Sequence, residues 1–202
     1  MLYKFSRICV AIYVALFHRF KIIGKEHIPI NGRVIICANH QHLIDPMLVA
    51  ICTRRIICFM AKKELFEGAF GFLIKRLKAI PVNRDGNDSY SLKLALSVLK
   101  KDGVLGIFPE GTRIVNRTNA PKFKSGVAML AIKTKTPIIP IYIEGSYKPF
   151  GKLTAVVGEA YELSEYYDRK LSSEEYAEIS NHRIARSILD LNVRIGQNIE
   201  RV

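Results

Sequence analysis

Seven short apolar runs, each cut off by polar or turn-forming residues, constrain this chain more than anything else in it. They fall at 20–24, 33–38, 56–60, 79–82, 104–108, 138–143 and 153–157. Runs of this length, bounded by turn signals, read as buried strands. Helical patterns lie between them. Asp88 to Lys101 carries Leu92, Leu96 and Leu99 on one face, with Gly103 expected to close its C-terminus. Ser125 to Lys135 is a second helix, small and apolar. A last helix from about Ser173 to Val202 has Ile184, Ile188, Leu191 and Ile195 on a stripe, and Glu174 and Glu175 in its first turn. It packs on the sheet, or forms a dimer contact. Strands alternating with helices predict an α/β fold: a central, mostly parallel mixed sheet of about seven strands covered by helices on both faces. The chain's 202 residues suit one domain with a three-layer core. It has no linker, repeat, low-complexity tract or Gly-rich phosphate loop.

The chemistry concentrates where strands end. Asn39-His40-Gln41-His42-Leu43-Ile44-Asp45-Pro46 follows the run Val34–Ala38. Asp45-Pro46 reads as a helix start, aspartate as N-cap and proline as first helical residue. His40 and Asp45 therefore share a strand-to-helix turn, where α/β sheets present reactive groups. An imidazole oriented by a carboxylate is a general base poised near neutral pH. No serine or cysteine stands beside it in a nucleophile motif, which leaves a hydroxyl brought by the substrate as the group to be activated. The bland alternative is an incidental His/Asp spacing.

Three further segments bear on the choice. Gly106-Ile107-Phe108-Pro109-Glu110-Gly111-Thr112-Arg113 is a strand that breaks at proline into a turn bearing a carboxylate and a guanidinium. Strand end, acid, glycine and arginine suit a polar pocket for an anion. Ala79-Ile80-Pro81-Val82-Asn83-Arg84 is another strand that ends in an arginine. Arg84 and Arg113 either converge on a phosphate or each solvate a strand end. Thr136-Pro137-Ile138-Ile139-Pro140-Ile141-Tyr142-Ile143 has the hydrophobicity of a central strand but two prolines, so it reads as a sheet edge, an irregular strand or a pocket wall.

In that order, His40-x4-Asp45, Arg84 after Ile-Pro-Val, Phe-Pro-Glu-Gly-Thr-Arg at 108–113 and Pro-Ile-Ile-Pro at 137–140 resemble the four-block pattern of the glycerolipid acyltransferases, specifically the bacterial 1-acyl-sn-glycerol-3-phosphate acyltransferases (the PlsC family). The resemblance runs from about Ile23 to about Gly158 and extends to Ala61-Lys62-Lys63-Glu64-Leu65-Phe66 and Lys122-Phe123-Lys124-Ser125-Gly126. One departure is His42, where the family usually has serine; it puts a second imidazole near the first. The resemblance implies that His40 is the general base, taking the proton of the acceptor hydroxyl as it attacks an acyl thioester, and that Asp45 holds the imidazole tautomer and stabilises its cation. This is triad logic with the serine replaced by the substrate's alcohol. It implies that Arg84 and Arg113 bind the acceptor phosphate, that Glu110, Gly111 and Thr112 shape the glycerol pocket, and that Lys62 and Lys124 are weaker headgroup contacts. The implied donor is acyl-CoA or acyl-carrier protein and the acceptor lysophosphatidate, with no cofactor and no metal.

Charge and hydropathy point the same way. Lys and Arg number 31 against 18 Asp and Glu, a net charge of +13. Such a chain favours polyanions. Hydrophobic residues are 49% of it, and basic plus apolar suits an anionic membrane surface rather than nucleic acid. Ile8 to Phe17 is almost wholly apolar, flanked by Lys4, Arg7, Arg19, Lys21 and Lys25. That is well short of the roughly 20 residues that span a bilayer. No small-x-small cleavage site follows, so a signal peptide is not indicated. Residues 1–20 read as an interfacial, membrane-associating helix and 21–202 as the acyltransferase domain, at the cytoplasmic face of the cell membrane as a peripheral or monotopic protein. The alternative is a helix packed on the core. Leu65 to Ile74 adds to a membrane face, lines an acyl tunnel or is ordinary core. Cys9, Cys37, Cys52 and Cys58 form no C-x-x-C pair, and the five histidines have no metal spacing, which predicts free thiols, no zinc and a reducing compartment.

Beside the reading as a transferase to lysophosphatidate stand two others. One is the same chemistry on another acceptor, such as glycerol 3-phosphate, another lysophospholipid or an amino-lipid. The other is a basic lipid-binding module without turnover.

Overall fold

A computed structural model of the chain describes residues 1–83, 88–111 and 123–199, and only the backbone at 69 and 193–199. All seven expected strands form: β1 Arg19–Ile23, β2 Val34–Ala38, β3 Ile57–Lys62, β4 Ile80–Val82, β5 Val104–Ile107, β6 Ile138–Gly145 and β7 Lys152–Val157. They make one sheet in the order β1-β7-β6-β2-β5-β3-β4. Pairings are parallel except β6 with β7, which are antiparallel neighbours joined by a tight turn. The carboxyl ends of β2, β3, β4 and β5 therefore lie along one rim, and the turn between β6 and β7 lies there too.

The helices are α1 Leu2–Phe17, α2 Asp45–Ile51, α3 Gly68–Arg76, α4 Ser89–Lys100, α5 Gly126–Thr134, α6 Ser173–Ile179 and α7 Ala185–Ile199. Strand alternation sorts the core into two layers. Ile35 and Cys37 of β2 point to the side covered by α4, α5, α6 and α7. Val34, Ile36 and Ala38 point to the side of α1 and α2. The central strands read as continuous apolar runs because both faces are covered.

Two expectations need correction. The proline-bearing strand is central, not an edge: β6 lies between β7 and β2. Pro140 is tolerated because its missing donor would face the end of β7, where Gly158 N–H donates to Pro140 C=O at 2.8 Å and the regular ladder gives way to the isolated Ile138–Tyr161 bridge. The edges are β1 and β4, and β4 carries Pro81. Asp45 is the first residue of α2, with Ile44 at the cap position and no side-chain cap bond; its carboxylate turns back onto the loop before it. Gly103 does close α4, next to Asp102 as the left-handed residue, φ 53°. Gly103 N–H bonds Val98 C=O at 2.9 Å and Asp102 N–H bonds Leu99 C=O at 3.1 Å, a Schellman closure. Gly103 is small for another reason: a Cβ there would lie 2.7 Å from Val98.

The helix expected from Asp88 starts there, with Asp88 capping it by accepting Ser91 N–H at 2.9 Å. The closing helix is met with an interruption. It starts on a capping box between Ser172 and Glu175, passes through a π-helical turn at Ser180–Ile184 and continues as α7. Ile184, Ile188 and Leu191 are buried against the sheet.

Helix α1 is two-sided. Val14 and, in part, Val10 pack on the core. The opposite stripe, Phe5, Ile8, Ile12 and Leu16, stays 65%, 54%, 55% and 64% exposed. Tyr3 and Arg7 pin the helix, the Tyr3 hydroxyl accepting Ile57 N–H at 3.1 Å and the Arg7 guanidinium donating to Thr53 C=O at 3.1 Å. Among the described residues no helix is long and apolar enough to cross a membrane.

Where β2 ends, a side chain continues the ladder. Buried Asn39 donates its amide to Ile143 C=O at 2.8 Å and accepts Ile143 N–H at 2.7 Å. Replacing it by leucine strips both partners from buried backbone groups, at a cost of about 1–3 kcal/mol each. Asn39→Leu is expected to lose about 3 kcal/mol of stability in urea unfolding, whereas exposed Lys101→Ala is expected to change it little.

Candidate active site

The loop from Asn39 to Asp45 closes on one carboxylate. Asp45 has no solvent exposure. Its Oδ2 accepts Gln41 N–H at 2.7 Å, His42 N–H at 2.7 Å and His40 Nδ1 at 3.0 Å. Its Oδ1 accepts the Tyr147 hydroxyl at 2.7 Å. An ionised carboxylate can only accept, so His40 carries its proton on Nδ1 and the lone pair on Nε2. That is the tautomer a general base needs.

His40 is fixed on two further sides. Its ring stacks on Phe108, centroids 4.3 Å apart at 28°. Its backbone N–H donates to Glu110 Oε2 at 3.2 Å. Glu110 is buried, so the loop after β5 and the loop after β2 are tied by a charge-assisted bond. Phe108 in turn stacks near Phe59 of β3, at 5.9 Å. The side chain of His40 remains 15% exposed, enough for a reactant to reach it.

Beside Phe108 opens a cavity of about 510 Å³. Its floor is apolar, with Met60, Leu92, Ile107 and Leu130. Its polar rim includes Asn83, Asp88, Gly111 and Lys124. Gly111 sits at φ 68°, and a Cβ there would lie 2.9 Å from Lys124 Cε. Glycine thus lets the turn fold and the lysine pass close. Burial pushes the Asp88 carboxyl up, but the N–H groups of Ser91 and Asn83 outweigh it and hold it below the ordinary carboxylate range.

The structure thus brings His40, Asp45 and Glu110 together, and Gly111 and Lys124 beside them on the cavity wall. Lys62 stands at the end of β3, paired with Glu64 at 3.1 Å and absent from that wall. Arg84, Thr112 and Arg113 lie outside the described residues. The apolar stretch 65–74 divides: Phe66 is buried, while Leu65, Phe70, Phe72 and Leu73 are exposed and do not line the cavity. Sequence reasoning missed Tyr147 and Asn39. Asn39 had a signal, an amide directly after an apolar strand; Tyr147, 102 positions from Asp45, had none.

No group of three or more His, Cys, Asp or Glu side chains among the described residues has metal-binding geometry. The thiol of Cys37, on β2 just before the loop, is fully buried, and burial pushes it far above its ordinary range. Burial likewise raises Cys52 to about 12. Neither is a thiolate nucleophile.

A family-wide sequence profile described as Acyltransferase matches residues 19–144. A 1-acyl-sn-glycerol-3-phosphate acyltransferase of Bacillus subtilis (strain 168) is 28% identical over 203 residues, covering 97% of this chain and the whole of that protein (100%). One of Streptococcus pneumoniae is 36% identical over 114 residues, 55% of this chain and 41% of that protein. The crystal structure of the 1-acyl-sn-glycerophosphate acyltransferase PlsC from Thermotoga maritima superposes with a TM-score of 0.68 at 26% identity, over 95% of this chain and 78% of that one. With the profile spanning more than half of its residues, the chain belongs to the acyltransferase family.

Proposed function

We propose that this protein moves a fatty acyl group from acyl-CoA or acyl-carrier protein to the sn-2 hydroxyl of 1-acylglycerol-3-phosphate, giving phosphatidate. The observation that carries the reading is the 3.0 Å contact between His40 Nδ1 and the buried Asp45 carboxylate at the carboxyl rim of the sheet. The names of the relatives support the acceptor.

His40 Nε2 takes the proton of the acceptor hydroxyl. The oxygen attacks the thioester carbonyl, and Asp45 stabilises the imidazolium that forms. The carbon–sulfur bond then breaks, and the departing thiolate takes the proton back from His40. No acyl-enzyme is needed, in keeping with a His40 that bonds no serine or cysteine side chain among the described residues. Holding both reactants against one base supplies much of the acceleration. Glu110 acts through the backbone of His40, placing the base rather than touching the acceptor. Gly111 and Lys124 meet the glycerol phosphate at the cavity rim. Arg84, Thr112 and Arg113 join them by the family resemblance alone. The apolar floor receives an acyl chain.

The exposed stripe of α1 enters the interface of an anionic membrane, at its cytoplasmic face, with the surplus of basic residues among the headgroups. Exposed Phe70 and Phe72 of α3, which follows the same rim of the sheet, extend that contact.

The deciding experiment measures thiol release from acyl-CoA and from acyl-carrier protein by purified protein in detergent, with and without lysophosphatidate. Release that requires lysophosphatidate and vanishes in His40→Ala, while circular dichroism and melting stay those of the wild type, establishes base and acceptor together. Activity that survives His40→Ala removes the base; release only with another acceptor, such as glycerol 3-phosphate, changes the substrate. Asp45→Ala is expected to lower kcat by roughly 10³-fold. For the membrane, Ile8→Glu/Ile12→Glu is expected to abolish co-sedimentation with phosphatidylglycerol vesicles while sparing turnover of detergent-dispersed substrate. Unchanged vesicle binding would remove α1 from the interface.

A further inference from the structure

Four donors converge on the Asp45 carboxylate, and they are not equivalent. Gln41 N–H, His42 N–H and His40 Nδ1 all reach the same oxygen, Oδ2, and all belong to the loop that Asp45 itself ends. Among the described residues Oδ1 is held by one group, the Tyr147 hydroxyl, at 2.7 Å. Tyr147 comes from the turn between β6 and β7. A buried carboxylate held through one oxygen can swing about its Cβ–Cγ bond; held through both, it cannot. The plane of the carboxylate sets the direction of the bond to His40, and so where Nε2 points.

The tyrosine is itself held. The His42 ring lies against it, centroids 4.5 Å apart and nearly parallel at 19°. This is the position where the resembling family usually carries serine, which has no ring to offer. Stacked on Tyr147, with only a long 3.4 Å contact from Ile44 N–H to its Nδ1, His42 serves as a packing surface. At its other end the turn is joined to α1 and β1: Phe150 N–H donates to Phe17 C=O of α1 at 2.6 Å, and Arg19 N–H of β1 to Gly151 C=O at 3.0 Å. The turn that carries the tyrosine is thus anchored to the elements on either side of it.

We infer that Tyr147, backed by the His42 ring, is a positioning residue for the His40–Asp45 pair, and that His42 is not a second base. The inference rests on the proposed acyl transfer only for its kinetic readout. Removing the hydroxyl leaves KM intact, because Tyr147 acts through Asp45 and is not among the residues that line the cavity, and lowers kcat on the order of ten- to a hundredfold, the scale of a hydrogen bond to a charged group.

The test compares wild type, Tyr147→Phe, His42→Ala, His42→Phe and His40→Ala in the thiol-release assay, with proton NMR of the His40 ring N–H bonded to Asp45. That signal is identified by its loss in His40→Ala. Expected are a fall in kcat at constant KM and a displaced His40 signal in Tyr147→Phe. A several-fold loss is expected in His42→Ala, most of it restored by His42→Phe, which keeps a ring against the tyrosine. A Tyr147→Phe enzyme with wild-type kcat, or with an unmoved His40 signal, overturns the inference. So does a His42→Phe enzyme as inactive as His40→Ala, which would make His42 a base. A wild type that turns over neither donor with any acceptor defeats the proposed function instead, and the NMR signal then decides the role of Tyr147 by itself.

Discussion

A buried charge stands only where hydrogen-bond donors replace the water it has lost, and the Asp45 carboxylate is such a charge. Transferring an unpaired carboxylate out of water costs several kcal/mol even after relaxation. Here the compensation comes from two backbone amides, an imidazole and a phenol, all within 3.0 Å. The requirement shapes everything nearby. The loop after β2 must curl so that Gln41 and His42 point their amides inward, the turn after β6 must bring a hydroxyl across, and the aspartate must forgo capping its own helix. The His40 tautomer follows from the same demand.

The sheet decides where this happens. Parallel strands β2, β3, β4 and β5 discharge their polar ends on one rim, so segments far apart in sequence meet without any contact between them being specified locally. The Asn39 amide pairs with β6 where the β2 ladder would otherwise stop, keeping the loop's root rigid. At the far side of the cavity, Asn181 in the π-helical turn accepts Phe123 N–H at 2.7 Å and donates to Phe123 C=O at 3.3 Å. Lys124 follows directly. A π turn in a helix beyond residue 144, the end of the family profile, thus steadies the residue that leads into the cavity wall, in keeping with the tendency of such turns to lie near functional sites.

Much of this was legible in the sequence. Apolar runs bounded by turn residues located all seven strands, because strands buried on both faces must be apolar throughout. The His40/Asp45 pair was legible because both members lie in one short loop. What was not legible is what depends on distant neighbours. Pro140 looked like an edge residue because sequence cannot show that β7 ends beside its missing N–H. Asp45 looked like a cap because its alternative partner, Tyr147, lies in a turn with no pattern of its own. Gly103 was legible as the close of α4, but not that Asp102 takes the left-handed conformation beside it, nor that Gly103 must leave room for Val98. The helix α1 allowed a packed or an interfacial reading, and the structure shows a packed face and an open one, because its residues 10 and 14 face opposite to 5, 8, 12 and 16.

Phe108 is a wall with two tenants. The ring on which His40 rests also bounds the cavity beside it. A smaller residue there enlarges the chamber and at the same time removes the surface that steadies the imidazole; a larger one narrows the chamber and presses on the ring. Room for a guest and order in the His40 ring are therefore one variable at this position. A lineage that shifts its choice of guest through residue 108 has to alter a second residue, such as Phe59 behind it, to keep the imidazole in place.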